Sequence, residues 1–309
     1  MAEKNISEKW VRVDLSADPE LTDALANFMT EIGAEGVCQE ALMPLHFTED
    51  AEETVRYETL TAHFPWANKK TVLASLEIYL DGLSRLFPAS KKPTLTIKDI
   101  TDPDWGEEWK KYFHPFRIGK KFVIKPTWEP YQPVGGDIVI EIDPGMAFGT
   151  GQHHSTSMCL TAMEDLFSQE NASSWAVLDV GTGTGILGIA AARLGVEKVV
   201  CLDIDDKAVA IAVDNAILNQ VANKMKIRNS PLSSLGRKFN LLLANLTTKT
   251  LLELSTDLES LLAPGGYLVI SGIIEQQSRE IEERFSMAPL SLWRNMKSEE
   301  WRCYVIKKE

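Results

Sequence analysis

VLDVGTGTGILG, residues 177–188, is the stretch from which the fold can be read. Val177 to Val180 is a short apolar run holding one carboxylate, Asp179; Gly181, Gly183 and Gly185 interrupt it, and an apolar helical pattern opens at Ile186. A buried strand that ends in a glycine turn and feeds a helix is the repeating unit of a doubly wound parallel sheet. Such sheets bind ligands beyond the carboxyl ends of their strands. Glycine lets the backbone approach a ligand closely there, and the first N–H groups of the helix have no intrahelical partner.

The same rhythm continues toward the C-terminus. WAVLDV and ILGIAAARLG are followed by KVVCLDI with DKAVAIAVDNAILN, FNLLLANL with KTLLELSTDLESLL, and GGYLVISGI with the charged helix EQQSREIEERF. Strands this apolar, separated by helices, imply a sheet covered on both faces. The tail differs, because LSLWRNMKSEE and WRCYVIKK are adjacent strands with a turn between them, which implies an antiparallel pair at the edge. Toward the N-terminus, SMCLTAMEDLF sets Met158, Cys159, Ala162, Met163, Leu166 and Phe167 on one helical stripe, and KFVIKPTW and DIVIEID read as strands. Residues 121–309 are therefore expected to form one α/β domain, a doubly wound, mostly parallel sheet with an antiparallel edge.

Residues 1–100 have another texture. WVRVDL, ELTDALANFMTEIG and EGVCQEAL read as strand, helix and strand; ETLTAHFP, KKTVLASLEIYLDGLSRLF and PTLTIKDI repeat the order. Two such halves predict a small ferredoxin-like α+β domain. Residues 101–120, TDPDWGEEWKKYFHPFRIGK, carry Asp-Pro and His-Pro turns and read as a connector rather than as strands. Its aromatics, Trp105, Trp109, Tyr112 and Phe113, suit a small core beneath it or a partner contact.

A chain of 309 residues exceeds the usual single core, in agreement with this division. No run approaches the roughly 18 to 20 apolar residues of a membrane span, and MAEKNISEKW lacks the apolar core of a secretory signal, so the expected location is the cytoplasm. Cys38, Cys159, Cys201 and Cys303 are far apart, without CxxC spacing, and are expected to be buried free thiols rather than ligands or disulfides. The formal charge of −12 disfavours direct nucleic-acid binding and favours basic partners.

Two ligand classes suit the glycine turn. Gly183, Gly185 and Gly188 satisfy GxGxxG, and Asp203 follows about 20 residues on, as a dinucleotide site requires. Counted from Asp179, however, the turn has the form DxGxGxG, which resembles the first motif of class I S-adenosylmethionine-dependent methyltransferases. That donor has no pyrophosphate, and its ammonium and sulfonium groups need nearby oxygen atoms, which makes it the favoured ligand. Asp203 ends its strand where a carboxylate can accept from two ribose hydroxyls, while Asp205 and Asp206 suit helix caps. Asn245, at the end of LLLAN, reaches the same rim; its amide oxygen can accept from a substrate amine, or the residue can simply form a turn.

DPGMAFGTGQHHST, residues 143–156, is not a phosphate loop, because Gln152 follows Gly151 and no GK[ST] is present. Ser155 and Thr156 can cap the following helix, and His153 and His154 have no clustered ligands that would make a metal site. Together with VLDVGTGTG, CLDIDDKAV and LLLANL, this loop resembles the PrmA family, the methyltransferases of large-subunit ribosomal protein eleven, whose pattern is PGxAFGTGxHxTT. WVRVDL, IGAEGV, EEWKKYFHPFRIG and KPTW extend the resemblance over nearly the whole chain. It implies S-adenosylmethionine as methyl donor, bound by Thr156, Gly181, Asp203 and Asn245, with Asp179, Gly183 and Gly185 expected around it in the same motif. It also implies an N-terminal domain that recognises the ribosomal protein, free or on the ribosome, and lysine side-chain and N-terminal amines as acceptors. The chain departs from the family at His154 and Ser155, where Pro and Thr are usual.

On this reading an uncharged amine attacks the methyl group in line. A lysine amine, with a reference pKa of about 10.4, must first lose a proton, and an α-amine near 8 does so more readily. Alignment and exclusion of water are the main requirements; Asn245 is expected to orient the amine and the AFGTG loop to close over the donor. The rival readings are a lysine methyltransferase of another protein, a dinucleotide-dependent oxidoreductase, and a noncatalytic assembly factor.

Overall fold

The computed structural model describes residues 10–34, 36–41, 58–87, 90–100, 113–143, 151–169 and 174–309. They fall into two compact units, one running to Phe113 and the other beginning at His114.

The first unit comprises β1 (Trp10–Ala17), α1 (Pro19–Glu31), β2 (Gly36–Ala41), β3 (Glu58–Pro65), α2 (Lys69–Leu86) and β4 (Thr94–Ile100). The strand order is β2-β3-β1-β4, antiparallel throughout, which is the ferredoxin-like order that two strand–helix–strand halves predict. Strict alternation along β1 buries Val11, Val13, Leu15 and Ala17. These residues share a core with Leu60, Ala62 and Phe64 of β3 and with Leu25, Met29, Val72 and Leu76 of the two helices. The residues between them form a polar layer, in which Arg12 Nε donates to Asp14 Oδ1 at 2.6 Å and the Thr61 hydroxyl donates to the same oxygen at 2.8 Å. Burial, with Arg12 beside it, holds His63 down at about 4 despite the opposing charge of Asp14.

The second unit opens with a small sheet, β5 (Phe116–Ile118), β6 (Phe122–Lys125) and β7 (Ile138–Glu141), in that order. Here the structure departs from the sequence reading, since β5 lies inside the stretch read as a connector. Three residues after a proline are too few to show a period. Of the aromatics singled out there, Phe113 is buried, and Trp105, Trp109 and Tyr112 lie outside the described residues.

The remaining elements are α3 (His154–Gln169), β8 (Ala176–Val180), α4 (Ile186–Arg193), β9 (Lys198–Leu202), α5 (Asp206–Leu218), β10 (Met225–Arg228), β11 (Phe239–Asn245), α6 (Thr248–Leu261), β12 (Leu262–Ile274), α7 (Ser278–Phe285), β13 (Leu290–Ser298) and β14 (Trp301–Lys308). The seven strands follow the order β10-β9-β8-β11-β12-β14-β13. β8 to β12 are parallel, and β14 runs antiparallel to both its neighbours. One side of the sheet packs with α3 and α4 through Cys159, Met163, Ile189 and Ala190, the other with α6 and α7 through Leu251, Leu258, Ile281 and Phe285. β10, at the edge, has no counterpart in the sequence reading, because MKIR is four residues long with charge at every second position. From β8 the chain winds outward to β10 and then returns to β11 on β8's other side. The crevice between β8 and β11 is thus the topological switch point, where open α/β sheets bind ligands.

Cys159, Cys201 and Cys303 are buried free thiols. Hydrogen bonding with Cys303, followed by burial, pushes the Cys159 thiol well above its usual range. Cys38 lies in β2, and its side chain is outside the described residues. No described helix is long and apolar enough to cross a membrane.

Candidate active site

The glycine turn after β8 is tied down from four directions. Gly181 and Thr182 donate their N–H groups to Leu202 O at 2.8 and 3.0 Å, which carries the turn over to the end of β9. The Thr182 hydroxyl and the Gly188 N–H both reach Asp179 Oδ2, at 2.6 and 3.1 Å. Gly183 N–H donates to Asp203 Oδ2 at 2.9 Å, and Asn215 Nδ2 of α5 donates to Thr184 O at 2.9 Å. Gly181, Gly183 and Gly185 all have positive φ, 70°, 54° and 84°, a region that side-chain-bearing residues enter only with strain. Gly185 is the N-cap of α4, and a Cβ there would stand 3.1 Å from Ala212 Cβ.

Asp179 and Asp203 occupy different places in this turn. Asp179 is buried beneath it and braces it toward α4. Asp203 stands at the rim just past β9, its Oδ1 accepting from Asp205 N–H at 3.1 Å. Each of its oxygens makes one such bond and, with two lone pairs, can accept another. Asp205 caps α5, accepting from Lys207 N–H at 2.9 Å, whereas Asp206 accepts from Asn229 Nδ2 at 2.9 Å and is not the cap.

Burial pushes the Asp179 carboxyl up to about 6, against the Thr182 and Gly188 hydrogen bonds, with the Asp203 charge adding to the rise. A raised carboxyl pKa means that the unfolded chain releases this proton first as pH rises. This group's contribution to stability is therefore lost between about pH 4 and pH 6 and is fully restored below that window. Asp179→Asn, which keeps an acceptor for Thr182, is expected to gain about 3 kcal/mol relative to the wild type between pH 4 and pH 7. Denaturant unfolding of both proteins across that range checks this; a difference independent of pH would contradict it.

β11 delivers Asn245 to the same edge. Its Nδ2 donates to Thr156 Oγ1 at 3.1 Å, while its Oδ1 is buried with no hydrogen-bond partner. A buried acceptor without a partner is costly, by about 1–3 kcal/mol, and such a group at the crevice marks a place for a donor to bind. The hydroxyl of Thr156, read from sequence as a possible cap, instead holds the Asn245 amide. Ser155 is not the cap either; the α3 N-terminus is closed by His153, whose Nδ1 accepts from Ser155 N–H at 3.2 Å and pairs with Ser155 Oγ at 2.6 Å. Among the described residues no cluster of His, Cys, Asp and Glu could hold a metal ion. Of the opening loop, residues 144–150 lie outside the described residues; Gly151, the last of the AFGTG stretch expected to close over the donor, is described, and it is buried with φ 87°, where a Cβ would stand 3.1 Å from Ile186 Cδ1 and 3.2 Å from Ile124 Cγ1.

Three contributors were not anticipated. Thr182 and Asn215 brace the turn; Thr182 sits visibly within VGTGTG, but nothing in a single sequence puts Asn215 in contact with Thr184. The third is Gly272 in β12, with φ 83°, where the register against β14 shifts. A Cβ at 272 would stand 2.4 Å from Leu246 O and 3.1 Å from Asn245 Oδ1, so only glycine lets this strand pass beneath the end of β11. The signal is a glycine inside an otherwise apolar strand. Gly272→Ala is expected to lower stability by about 3 kcal/mol, because φ and a backbone oxygen both oppose it; an unchanged melting temperature would contradict this.

Over residues 9–309 the chain matches the family described as ribosomal protein L11 methyltransferase (PrmA). A ribosomal protein L11 methyltransferase of Geotalea daltonii is 37% identical over 313 residues, spanning 96% of this chain and 97% of the relative. Another, from Geobacter sulfurreducens, is 38% identical, spanning 98% of this chain and 100% of the relative. The crystal structure of a ribosomal protein L11 methylase from Lactobacillus delbrueckii subsp. bulgaricus superposes with a TM-score of 0.58 at 32% identity, covering 64% of this chain and all of that one.

Proposed function

This chain belongs to the ribosomal protein L11 methyltransferase family, and on that premise we infer that it transfers methyl groups from S-adenosylmethionine to amines of ribosomal protein L11. The observation that carries the site assignment is the pairing, across the β8–β11 crevice, of a rim carboxylate, Asp203, with the buried and unpartnered Asn245 Oδ1.

The residues fit the donor. Asp203 accepts from the ribose hydroxyls, and the backbone of Gly181, Gly183 and Gly185 allows close approach. Thr156 lines the pocket and sets the Asn245 amide. Asp179 acts from below, bracing the turn instead of touching the ligand, a different role from the one its place in DxGxGxG suggests. The donor supplies an electrophilic methyl group on sulfur that leaves as a neutral thioether. Asn245 Oδ1 accepts an N–H of the incoming neutral amine and so aims the nitrogen lone pair; as the N–C bond forms and the S–C bond breaks, the surplus proton passes to solvent. No side chain has to act as a base, and the site's work is alignment and exclusion of water. The acceptors are lysine side chains and the N-terminal amine, and the compartment proposed is the cytoplasm.

The ferredoxin-like unit is assigned recognition of the protein substrate. The assignment follows the family resemblance, which extends over this unit's own stretches WVRVDL and IGAEGV. Methyl-tritiated donor with purified L11, beside other lysine-rich ribosomal proteins, tests the assignment. Label confined to L11 supports it; label only on another protein makes the chain a lysine methyltransferase of different specificity. Thermal stabilisation by NAD and not by S-adenosylhomocysteine would make it an oxidoreductase.

A further inference from the structure

His153 and His154 were the part of the loop to which the sequence assigned no function, and the structure docks both on one place. His154 Nδ1 pairs with Ser298 Oγ at 2.8 Å, and its Nε2 faces Glu299 Oε2 at 3.6 Å. The His153 ring meets Trp301 edge-on, centroids 4.6 Å apart. Ser298, Glu299 and Trp301 form the tip of the β13–β14 hairpin. Because Trp301 pairs with Ile274 at the end of β12, that tip stands at the carboxyl-end edge of the sheet, the edge that carries the site. Two residues beyond His154, Thr156 is almost fully buried and accepts from Asn245 Nδ2 at 3.1 Å. One helical turn is thus held by the hairpin on one side and holds the Asn245 amide on the other.

We propose that His154 is a positioning residue for the methyl-donor site, tethering the first turn of α3 to the hairpin and thereby fixing Thr156 and the direction in which the Asn245 amide faces. The proposal rests on the donor-binding reading above. Its physical basis is that the first turn of a helix has no preceding turn to bond to and frays most readily. Proline at the first helical position restrains this turn through its fixed φ. Here His154 occupies that position, φ is free, and the side-chain tether supplies the restraint instead. With the Asn245 NH2 directed at Thr156, its oxygen is left as the acceptor; a frayed turn releases the amide to rotate.

The test uses the full chain and S-adenosylhomocysteine as probe, read by calorimetry, with hydrogen exchange of residues 154–158 in the ligand-free protein. His154→Ala is expected to weaken binding about fivefold, the worth of one hydrogen bond, because Thr156, which lines the donor pocket, loses its fixed place; it is expected to lower kcat through the freed Asn245 amide, and to speed exchange in that turn while the melting temperature stays near wild type. His154→Asn places a polar atom where Nδ1 stands and is expected to restore binding; His154→Gln places one where Nε2 stands and is not. Ser298→Ala is expected to reproduce the loss and to add nothing to His154→Ala. Wild-type affinity in His154→Ala, equal behaviour of the Asn and Gln variants, or additive losses would each overturn the proposal. A wild-type chain that fails to bind the probe would overturn the donor-binding reading itself, and separates the two failures.

Discussion

Alanine at Asp203 is expected to weaken S-adenosylhomocysteine binding about a hundredfold or more, the largest effect of any single substitution in the pocket. The carboxylate stands at the rim of β9 with one backbone N–H on each oxygen, from Gly183 and Asp205, so both oxygens are fixed before a ligand arrives. Two charge-assisted hydrogen bonds to ribose hydroxyls are each worth about 1.5 kcal/mol or more, and every 1.4 kcal/mol is about tenfold in affinity. The same substitution leaves two N–H groups without acceptors near the surface, so the ligand-free protein is expected to lose only about 1 kcal/mol. Asp203→Asn, which keeps one acceptor, should fall between. Calorimetry on the three proteins decides the matter; an alanine variant within threefold of wild type would remove Asp203 from the donor site.

The second large effect is kinetic. Asn245→Ala is expected to lower kcat about a hundredfold, in the range that misplacing a reacting group produces, while the KM for S-adenosylmethionine changes much less. The two ends of the Asn245 amide have different surroundings. Its nitrogen is held by Thr156, and its oxygen is buried without a partner, so truncation removes the group that aims the acceptor and leaves the Asp203 contacts in place. A fall in donor affinity with unchanged kcat would assign Asn245 to donor binding alone, and unchanged kinetics would remove it from the mechanism.

Much of this architecture is visible in particular residues. Val11, Val13, Leu15 and Ala17 announce one strand by alternation, and apolar runs such as LLLAN and YLVIS announce buried parallel ones. The glycine turn could be placed because strand, turn and helix meet there within twelve residues, and Asp203 and Asn245 because each ends such a strand. What escaped is short or tertiary. Phe116–Ile118 and Met225–Arg228 are strands that pairing creates, not periodicity. The Asn215 brace, the clearance that Gly272 provides over Asn245 and the docking of the two histidines on the hairpin all join residues far apart in the chain. Ser155 and Thr156 look like caps because hydroxyls usually cap helices; that His153 does so instead, freeing Thr156 for Asn245, depends on the fold around them.

Methylation of ribosomal protein L11 amines with S-adenosylmethionine is the activity that this site is inferred to carry. Intact-mass and peptide mass spectrometry of L11, after incubation with the purified enzyme and donor, tests it most directly. Whole-methyl mass increments are expected on lysine side chains or the N-terminal amine, absent without donor and strongly reduced with the Asp203→Ala enzyme. Unmodified L11 in the presence of an enzyme shown to bind S-adenosylhomocysteine would contradict it.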